Sequence, residues 1–358
     1  MQLIHAAKDL APGDRKVCLA IGFFDGLHLG HEQIIRQTIA DARQHDSLSF
    51  ILTFDQHPNT VVAPDHVPPL IQSLSQRIRA IESLGADALL VLRFDRQFSE
   101  QPGEAFIRNL AHDLCANGAR LCEPQNVHSN EATAGHKPAL QSRIQSICVG
   151  ADFVFGHIRS GNVELLKRLG EEMNFTVHGI AAVSFDGQVV SSTRIREAIR
   201  AGDLDAASQM LGRAYLLTAR VVKGDQLGTK LGFPTANLDV SGLVLPPNGV
   251  YAAHVTRRTG VAPVPNQTPA QAENVYGDRR DARPTHPAVL NIGHRPTIAN
   301  LTAAPRVEVH LLDFQGDLYG QELEVAFVDK LRDERRFPDL DALKSQITRD
   351  ILDARGKF

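Results

Sequence analysis

Two histidines spaced three residues apart carry the clearest chemical signal in the sequence. His28 and His31 close the stretch GFFDGLHLGH, which lies between the apolar run 17–21 and a periodic segment at 32–43. This order predicts a strand, a tight glycine turn and a helix. The N–H groups at such a helix start attract anions, and an imidazole can donate to phosphate oxygens. The stretch therefore predicts charge stabilisation at a nucleotide phosphate.

Two other interpretations compete for this stretch. A metal site would need further Cys, His or carboxylate ligands, and none lies nearby in the sequence. A plain glycine turn with two surface histidines would explain H-x-x-H alone. The longer word occurs by chance about 10⁻⁵ times per chain, at roughly one-in-twenty usage per residue. Its specified residues are Gly22, Phe24, Asp25, Gly26, His28 and His31.

The word resembles the G-x-F-D-G-x-H-x-G-H form of the nucleotidyltransferase signature found in bacterial FAD synthetases. That family combines an FMN adenylyltransferase with a riboflavin kinase. The resemblance implies that His28 and His31 are catalytic. It also implies ATP contacts at Gly22, Phe23, Asp25, Gly26 and Gly30.

Composition limits the classes of protein that the chain can represent. A length of 358 residues, with 43% hydrophobic and 22% charged residues, predicts two globular domains. The net charge of −3 argues against nucleic acid or an anionic membrane as a partner. No signal peptide pattern and no run of about 18 apolar residues is found, so we expect a cytoplasmic protein. The four cysteines lack C-x-x-C spacing and are expected to be reduced, with a disulfide or a zinc site less favoured.

Alternating apolar runs and amphipathic segments in the first half predict a parallel sheet with helices. Ligands of such sheets gather at the carboxyl ends of strands, where Asp55 and His57 follow the strand at 49–54. A polar turn stopped by Pro58 is equally consistent with that spacing. The family carries T-F-D-P-H-P here, with Gln56 replacing the first proline in this chain. The resemblance implies flavin contacts at Phe54, Asp55 and His57.

Two later words complete the first half. V-G-A-D-F-V-F-G is similar to a family segment that shapes the flavin pocket, which implies a flavin contact at Asp152; an ordinary turn aspartate is the alternative. S-S-T-R-I-R places capping hydroxyls and two arginines at a helix start, and charge-assisted bonds there can hold a departing pyrophosphate. A purely structural cap is the competing interpretation. The resemblance implies a catalytic role for Arg196 and ATP contacts at Ser191, Ser192, Thr193 and Arg194.

From residue 215 the pattern changes to short strands separated by Gly, Pro and Asn. The predicted domains are 1–202 and 203–358. Strands expected at 216–222, 250–256, 288–292, 306–312 and 323–328 predict a small antiparallel barrel. The last helix should pack on it through Leu340, Leu343, Ile347 and Ile351. Segments 117–145 and 260–287 have loop composition and are predicted to be insertions, to which we assign no function.

The first candidate functional residues of the second domain lie in a glycine-rich turn and in the motif G-F-P-T-A-N. An ordinary hairpin would explain the composition. The word is similar to the riboflavin kinase motif G-x-P-T-A-N, whose Thr and Asn oxygens help to hold ATP-bound Mg²⁺. The resemblance implies Mg²⁺ ligands at Thr235 and Asn237, and ATP contacts at Gly224, Lys230, Gly232, Pro234, Thr235 and Asn237.

Glu308 and His310 are expected on one face of a strand. A kinase must remove a proton from the hydroxyl that attacks the γ-phosphate, and a carboxylate can accept it. The family's E-x-H segment implies that Glu308 is this base, while cross-strand charge pairing is the alternative and His310 is expected to be structural. Two further words resemble the kinase domain, N-I-G-H-R-P-T and R-D-E-R-R-F. They imply flavin contacts at Asn291, Arg332, Glu334 and Phe337.

The sequence thus predicts a Rossmann-like α/β nucleotidyltransferase domain, followed by a riboflavin kinase-like barrel with a C-terminal helix. The resemblance implies that the chain phosphorylates riboflavin to FMN and adenylylates FMN to FAD with release of pyrophosphate. Expected ligands are ATP with Mg²⁺, riboflavin, FMN and FAD, with flavin-requiring apoproteins as transient acceptors. A nucleotidyltransferase for another phosphate-bearing substrate, or a binding regulator without turnover, are the rival hypotheses. The intact His28, His31 and Glu308 argue against loss of turnover.

Overall fold

A computed structural model describes residues 1–10, 15–115, 142–224, 228, 231–258, 285–293 and 305–358. Contacts divide the chain into two units, residues 1–70 with 74–192, and residues 71–73 with 193–358. The predicted ATP contact Lys230 lies outside the described residues, as does most of each predicted insertion.

Six parallel strands form the sheet of the first unit. In spatial order they are β1 (Gln2–Ile4), β4 (Ala88–Leu92), β3 (Leu48–Phe54), β2 (Val17–Ile21), β5 (Ile144–Gly150) and β6 (Thr176–Ile180). The chain passes from β2 through β3 to β4 and then returns to β5 on the other side of β2. The strand order therefore reverses between β2 and β5. Ligands of open α/β sheets bind beyond the carboxyl ends of strands at such a reversal.

Helices cover both faces of this sheet. On one face, Ile35 and Ile39 of α1 (Leu29–Gln44) and Ile81 of α3 (Leu74–Ser83) pack against the strands. On the other face, α5 (Gly103–Cys115) and α6 (Val163–Met173) contribute their own apolar side chains. Burial on both faces explains why β2 and β3 are nearly continuous apolar runs. Two short helices, α2 (Asn59–Val62) and α4 (Arg96–Ser99), and a hairpin of β7 (Ser184–Phe185) and β8 (Gln188–Val189) complete the described part of this unit.

The second unit is a closed antiparallel barrel with helices. Its strand order is β10 (Ala236–Asp239), β13 (Arg306–Leu311), β12 (Thr285–Gly293), β11 (Gly249–Arg258), β14 (Glu322–Arg332) and β9 (Leu216–Val222). Alternate residues of each strand fill the barrel, as Val307, Val309 and Leu311 do in β13. Two helices precede the barrel, α7 (Ser192–Ala201) and α8 (Leu204–Leu211). The helix α9 (Leu340–Arg355) follows it.

The helix α9 covers the outside of the barrel. Its Ala354 and Ile351 pack with Val250, Ala252 and Val289, which point away from the barrel interior. This packing was predicted for the apolar face of the helix. Leu340 departs from that prediction because it is 58% exposed at the first position of the helix.

The predicted fold class is confirmed in both units. The sequence prediction missed two strands of the sheet, β1 and β6, and one strand of the barrel, β10. Strands β1, β6 and β10 have three to five residues each and carry polar residues. Such short runs give too little periodicity to be recognised. The expectation of four reduced cysteines is wrong at Cys115, which is disulfide-bonded, while Cys18 and Cys148 are free and buried. Among the described residues, none of the helices combines the length and the apolar character that crossing a bilayer would require.

Candidate active sites

The turn between β2 and α1 has a strained backbone. Phe24 and Leu27 have φ angles of 54° and 39°, in the left-handed region that side chains disfavour. Both are almost fully buried, and they pack with Ile35 and Ile39 of α1. Such residues cost about 1–3 kcal/mol each and persist only where the surroundings fix them. Because strain of this kind clusters at active sites, the turn is a candidate site on backbone grounds alone.

His28 and His31 stack on each other at the start of α1. Their ring centroids are 3.7 Å apart and their planes differ by 20°. His28 caps the helix, since its Nδ1 accepts the backbone N–H of His31 at 3.4 Å. In the neutral ring an accepting Nδ1 leaves the proton on Nε2. A Cβ on Gly30 would lie 3.3 Å from the His28 ring, so this glycine gives the ring its room.

A hydrogen bond joins the S-S-T-R-I-R motif to this turn. The hydroxyl of Ser192 donates to the backbone oxygen of Asp25 at 3.0 Å. Thr193, Arg194 and Arg196 follow Ser192 on α7, and Arg196 is 7% exposed. The pyrophosphate role of Arg196 stays a prediction, as do the ATP contacts of its neighbours.

An apolar cavity of about 550 Å³ opens beside the glycine turn. Gly22 and Phe23 form part of its wall, so the cavity adjoins the turn that carries the histidines. Its volume is in the range of small-molecule sites. Six further phenylalanine rings line it, at positions Phe54, Phe94, Phe98, Phe106, Phe153 and Phe155. Phe54 was predicted as a flavin contact, and Phe153 and Phe155 lie in the segment whose resemblance implied a flavin pocket. Phe94, Phe98 and Phe106 were not predicted there, because they look like ordinary core residues in their own sequence contexts.

The described lining of this cavity does not include the other three predicted flavin contacts. The Asp55 carboxylate accepts the backbone N–H of Phe94 at 2.9 Å, which links the ends of β3 and β4. The His57 ring meets the Phe23 ring edge-on, with centroids 4.9 Å apart. Asp152 is exposed in the turn that follows β5. Asp55 and His57 thus lie against residues of the wall, while Asp152 stands at the strand-order reversal.

In the second unit, a row of polar side chains crosses three strands. Glu308 of β13 is paired with Asn237 of β10 on one side and with Asn291 of β12 on the other. Directly opposite residues project to the same face of a sheet. All three line a cavity of about 320 Å³, together with Thr235. The barrel register therefore brings together residues from three separate sequence words.

The opposite wall of this second cavity comes from the end of β14 and from α9. Arg332, Glu334 and Phe337 line it, as do Leu343, Ile347 and Ile351. The Arg332 guanidinium binds both carboxylate oxygens of Asp350, at 2.8 and 2.7 Å, and Asp350 is 3% exposed. Gln346 donates to the same carboxylate at 2.7 Å. Sequence reasoning missed Asp350 and Gln346, which lie on a helix predicted from its apolar positions only.

The predicted Mg²⁺ ligands Thr235 and Asn237 lie close to glycine backbone. A Cβ on Gly228 would lie 2.8 Å from the Thr235 hydroxyl, and a Cβ on Gly224 would collide with the Asn237 side-chain amide, whose nitrogen is nearer to it than the oxygen. Mg²⁺ is commonly held by one or two protein oxygens together with phosphates and water. The donor set therefore fits Mg²⁺ that arrives with ATP. No group of three or more metal-ligating side chains occurs among the residues the structure describes.

A third cavity, of about 430 Å³, shares Thr235 with the second one. Pro234 and Ala236 border it on one side, and Phe314, Leu318 and Tyr319 do so on the other. The His310 Nδ1 lies 2.7 Å from the Pro234 oxygen, so the protonated nitrogen donates to it and supports the P-T turn. This contact agrees with the structural role expected of His310.

Comparison with known proteins gives one consistent result. A family model described as riboflavin kinase matches residues 211–358, and one described as FAD synthetase matches residues 11–119 and 138–194. Bifunctional riboflavin kinase/FMN adenylyltransferases from Escherichia coli K12 and Haemophilus influenzae are each 32% identical to the chain over 359 residues. They cover 100% of this chain, and 98% and 99% of their own lengths.

One solved structure is similar to this chain in fold. It is described as a macrolide-efflux protein from Streptococcus pneumoniae and has a TM-score of 0.69 at 24% identity. The match covers 99% of this chain and 98% of the other. At that identity the likeness extends to the fold alone.

Proposed function

The chain belongs to the family of bifunctional riboflavin kinases/FMN adenylyltransferases, and from this premise we propose that each unit carries out one of the two reactions. The first unit adenylylates FMN to FAD, and the second phosphorylates riboflavin to FMN, both from ATP. The observation that carries this assignment is that each unit builds a candidate site from its own residues. One is the His28–His31 turn beside an aromatic cavity, and the other is the row of Asn237, Glu308 and Asn291.

In the first unit the aromatic cavity receives the flavin ring of FMN. The phosphate of FMN then attacks the α-phosphorus of ATP in line. A bond forms between an FMN phosphate oxygen and that phosphorus, and the bond to pyrophosphate breaks. His28 and His31 donate to the transferring phosphate, and the N-terminus of α1 adds its positive dipole end. The stacked rings are preorganised, so they need little rearrangement as charge develops.

In the second unit the cavity between the barrel and α9 receives riboflavin, and the cavity that shares Thr235 receives the nucleotide. Glu308 takes the proton of the primary hydroxyl as its oxygen attacks the γ-phosphorus, and ADP leaves. Asn291 lies beside Glu308 in the register and can orient the hydroxyl. Thr235 and Asn237 would hold Mg²⁺, which when bound neutralises charge on the phosphates.

The apolar wall of each flavin cavity excludes water from the transferring phosphate. In the first unit that wall includes the rings of Phe54, Phe94 and Phe98, and in the second it includes Phe337, Leu343 and Ile347. Electrostatic interactions are stronger where water is excluded, so the same donors stabilise a developing charge more effectively. An apolar wall beside the proposed polar groups therefore suits phosphoryl and nucleotidyl transfer to a flavin.

Incubation of the purified protein with riboflavin and MgATP tests the proposal directly. Chromatographic separation of the flavins should show FMN first and FAD later. Formation of FMN without FAD would favour a nucleotidyltransferase that acts on another phosphate-bearing substrate. Conversion of neither flavin would contradict both assignments.

A further inference from the structure

Arg77 is a fully buried charged residue that neither of the two proposed reaction mechanisms uses. It lies on α3 with 0% exposure. Its Nη1 donates to the backbone oxygen of Phe23 at 2.6 Å, and its Nη2 donates to that of Phe54 at 3.0 Å. One guanidinium therefore connects a residue two positions after the end of β2 to the last residue of β3. A buried charge is costly, so a position that keeps one demands an explanation.

The charge of Arg77 is retained at neutral pH. Burial lowers the pKa of Arg77 to about 10, and the nearby carboxylates of Asp25 and Asp55 act in the opposite direction. The guanidinium carbon also lies 4.3 Å from the centroid of the Phe23 ring, a cation–π contact with a wall residue of the aromatic cavity. Arg77 thus contacts the glycine turn at two points, the backbone oxygen and the ring of Phe23.

The backbone oxygen of Phe23 accepts two hydrogen bonds from the sheet side. The Thr53 hydroxyl donates to it at 3.0 Å, and Arg77 donates at 2.6 Å. Arg77 also donates to the Thr53 oxygen at 3.1 Å, which closes a three-membered network. The next residue is Phe24, whose φ of 54° begins the strained turn. In a trans peptide C=O and N–H point in opposite directions, so fixing the Phe23 oxygen also fixes the direction of the Phe24 N–H.

We propose that Arg77 is a positioning residue for adenylyl transfer, which holds the strained turn in the shape that His28 and His31 require. The inference rests on the proposed adenylyltransferase site. A strained turn relaxes unless its surroundings fix it, and Arg77 supplies bonds at the point where the left-handed stretch begins. The planar fork of arginine reaches two strand ends at once. The single ammonium of lysine does not reproduce this geometry.

The test uses three variants of the full chain, namely Arg77→Met, Arg77→Lys and Thr53→Val. Each is assayed for FAD formation from supplied FMN and, separately, for FMN formation from riboflavin, with kcat and KM measured for both. The kinase reaction is an internal control because its residues lie in the other unit. Arg168→Met is a matched control, since Arg168 on α6 is 55% exposed and pairs with Glu104 at the surface.

A positioning role predicts an effect on the kcat of FAD formation. Arg77→Met should lower it by about 100-fold, the scale expected when reacting groups are displaced by about 1 Å. Arg77→Lys should lower it by about tenfold, and Thr53→Val by about fivefold, as one neutral hydrogen bond is lost. The KM for FMN should change less than threefold, and the kinase kcat should stay within twofold. A purely structural role would instead lower the kcat of FAD formation only in proportion to the folded fraction of the first unit, which denaturant unfolding of each variant measures.

Three outcomes would contradict this inference. Wild-type protein that makes FMN but no FAD would contradict the proposed adenylyltransferase site and the inference with it. Wild-type FAD formation with an unchanged kcat for folded Arg77→Met would overturn the inference alone. If Arg77→Met does not fold, Arg77→Lys decides, and a kcat within twofold of the wild type would overturn the proposal.

Discussion

The two sites differ in what holds their reactive groups in place. In the first unit the histidines lie at the end of a strained turn, between a strand and a helix that are consecutive in the chain. In the second unit Glu308 and its neighbours lie within paired strands, where the register alone aligns them. The turn depends on hydrogen bonds from other elements, such as those of Arg77. The aligned side chains of the barrel are instead held in place by the pairing of the strands.

This difference determines what a sequence can reveal. The histidine turn is one contiguous word, so chain connectivity alone makes its members neighbours. The barrel site combines motifs that are far apart in the sequence. Their resemblance to a family identifies the residues of the site, but it does not predict that these residues align across neighbouring strands. The comparison also predicts that single substitutions separate the two reactions.

The largest effect is expected for Glu308→Gln. The substitution keeps the shape of the side chain and removes the carboxylate that we propose accepts the proton. FMN formation from riboflavin should fall by roughly 10²–10⁴-fold. Conversion of supplied FMN to FAD should continue, as flavin chromatography would show. FMN formation at the wild-type rate would remove Glu308 from the kinase mechanism.

His28→Ala should affect the opposite reaction. It removes the donor that we propose for the transferring phosphate and also the cap of α1. FAD formation should fall by about 10²–10³-fold, while riboflavin is still phosphorylated. The rate of each step is measured with riboflavin and with FMN as separate starting substrates. Loss of FMN formation in a folded variant would argue against separate sites.

Asp350→Asn should weaken the wall of the kinase cavity. It breaks a two-oxygen ion pair with Arg332 at a site where Asp350 is 3% exposed. The free energy of unfolding of the second unit should fall by about 2–4 kcal/mol. The KM for riboflavin should rise by roughly tenfold as α9 shifts. Denaturant unfolding and saturation kinetics measure the two effects.

Asp329→Asn is the matched control for that experiment. Asp329 pairs with Lys357 at 2.6 Å, but both side chains are nearly half exposed. Exposed pairs contribute little to stability, so the unfolding midpoint should stay where it is. Equal losses in the two variants would show that burial of the Arg332 pair is unimportant.

The smallest effect is expected from shortening the two insertions. Replacing residues 123–138, or residues 261–284, by a Gly/Ser linker should leave both activities within a few fold. Their composition carries no motif, and each doubling of loop length costs only about 0.6 kcal/mol. Loss of either activity in a folded variant would show that an insertion contributes to a site.

Periodicity was sufficient to predict most of the fold. Residues 17–21 and 216–222 were predicted as strands and are strands with those bounds. The strand Ala236–Asp239 was missed because its Asn and Asp resemble a turn. Family resemblance identified Glu308 and Asn237, and the barrel register then placed them opposite each other.

The sequence could not identify residues whose roles depend on how they pack in the folded protein. Arg77 looks like any arginine of an amphipathic helix, and only its burial against Phe23 and Phe54 reveals its contacts. Phe94 and Phe98 look like core residues until they are seen to face a cavity. Asp350 was missed for a related reason, since its partner lies on another element of the barrel unit.

Mixing two variants that each lack one reaction tests whether the two sites are independent. Neither His28→Ala nor Glu308→Gln should produce appreciable FAD from riboflavin and MgATP when assayed alone. A mixture should restore FAD, because the first variant supplies FMN and the second adenylylates it. We predict FAD formation in the mixture at a rate that rises with the concentration of each variant. No FAD from a mixture of folded variants would contradict the account and would indicate one shared site.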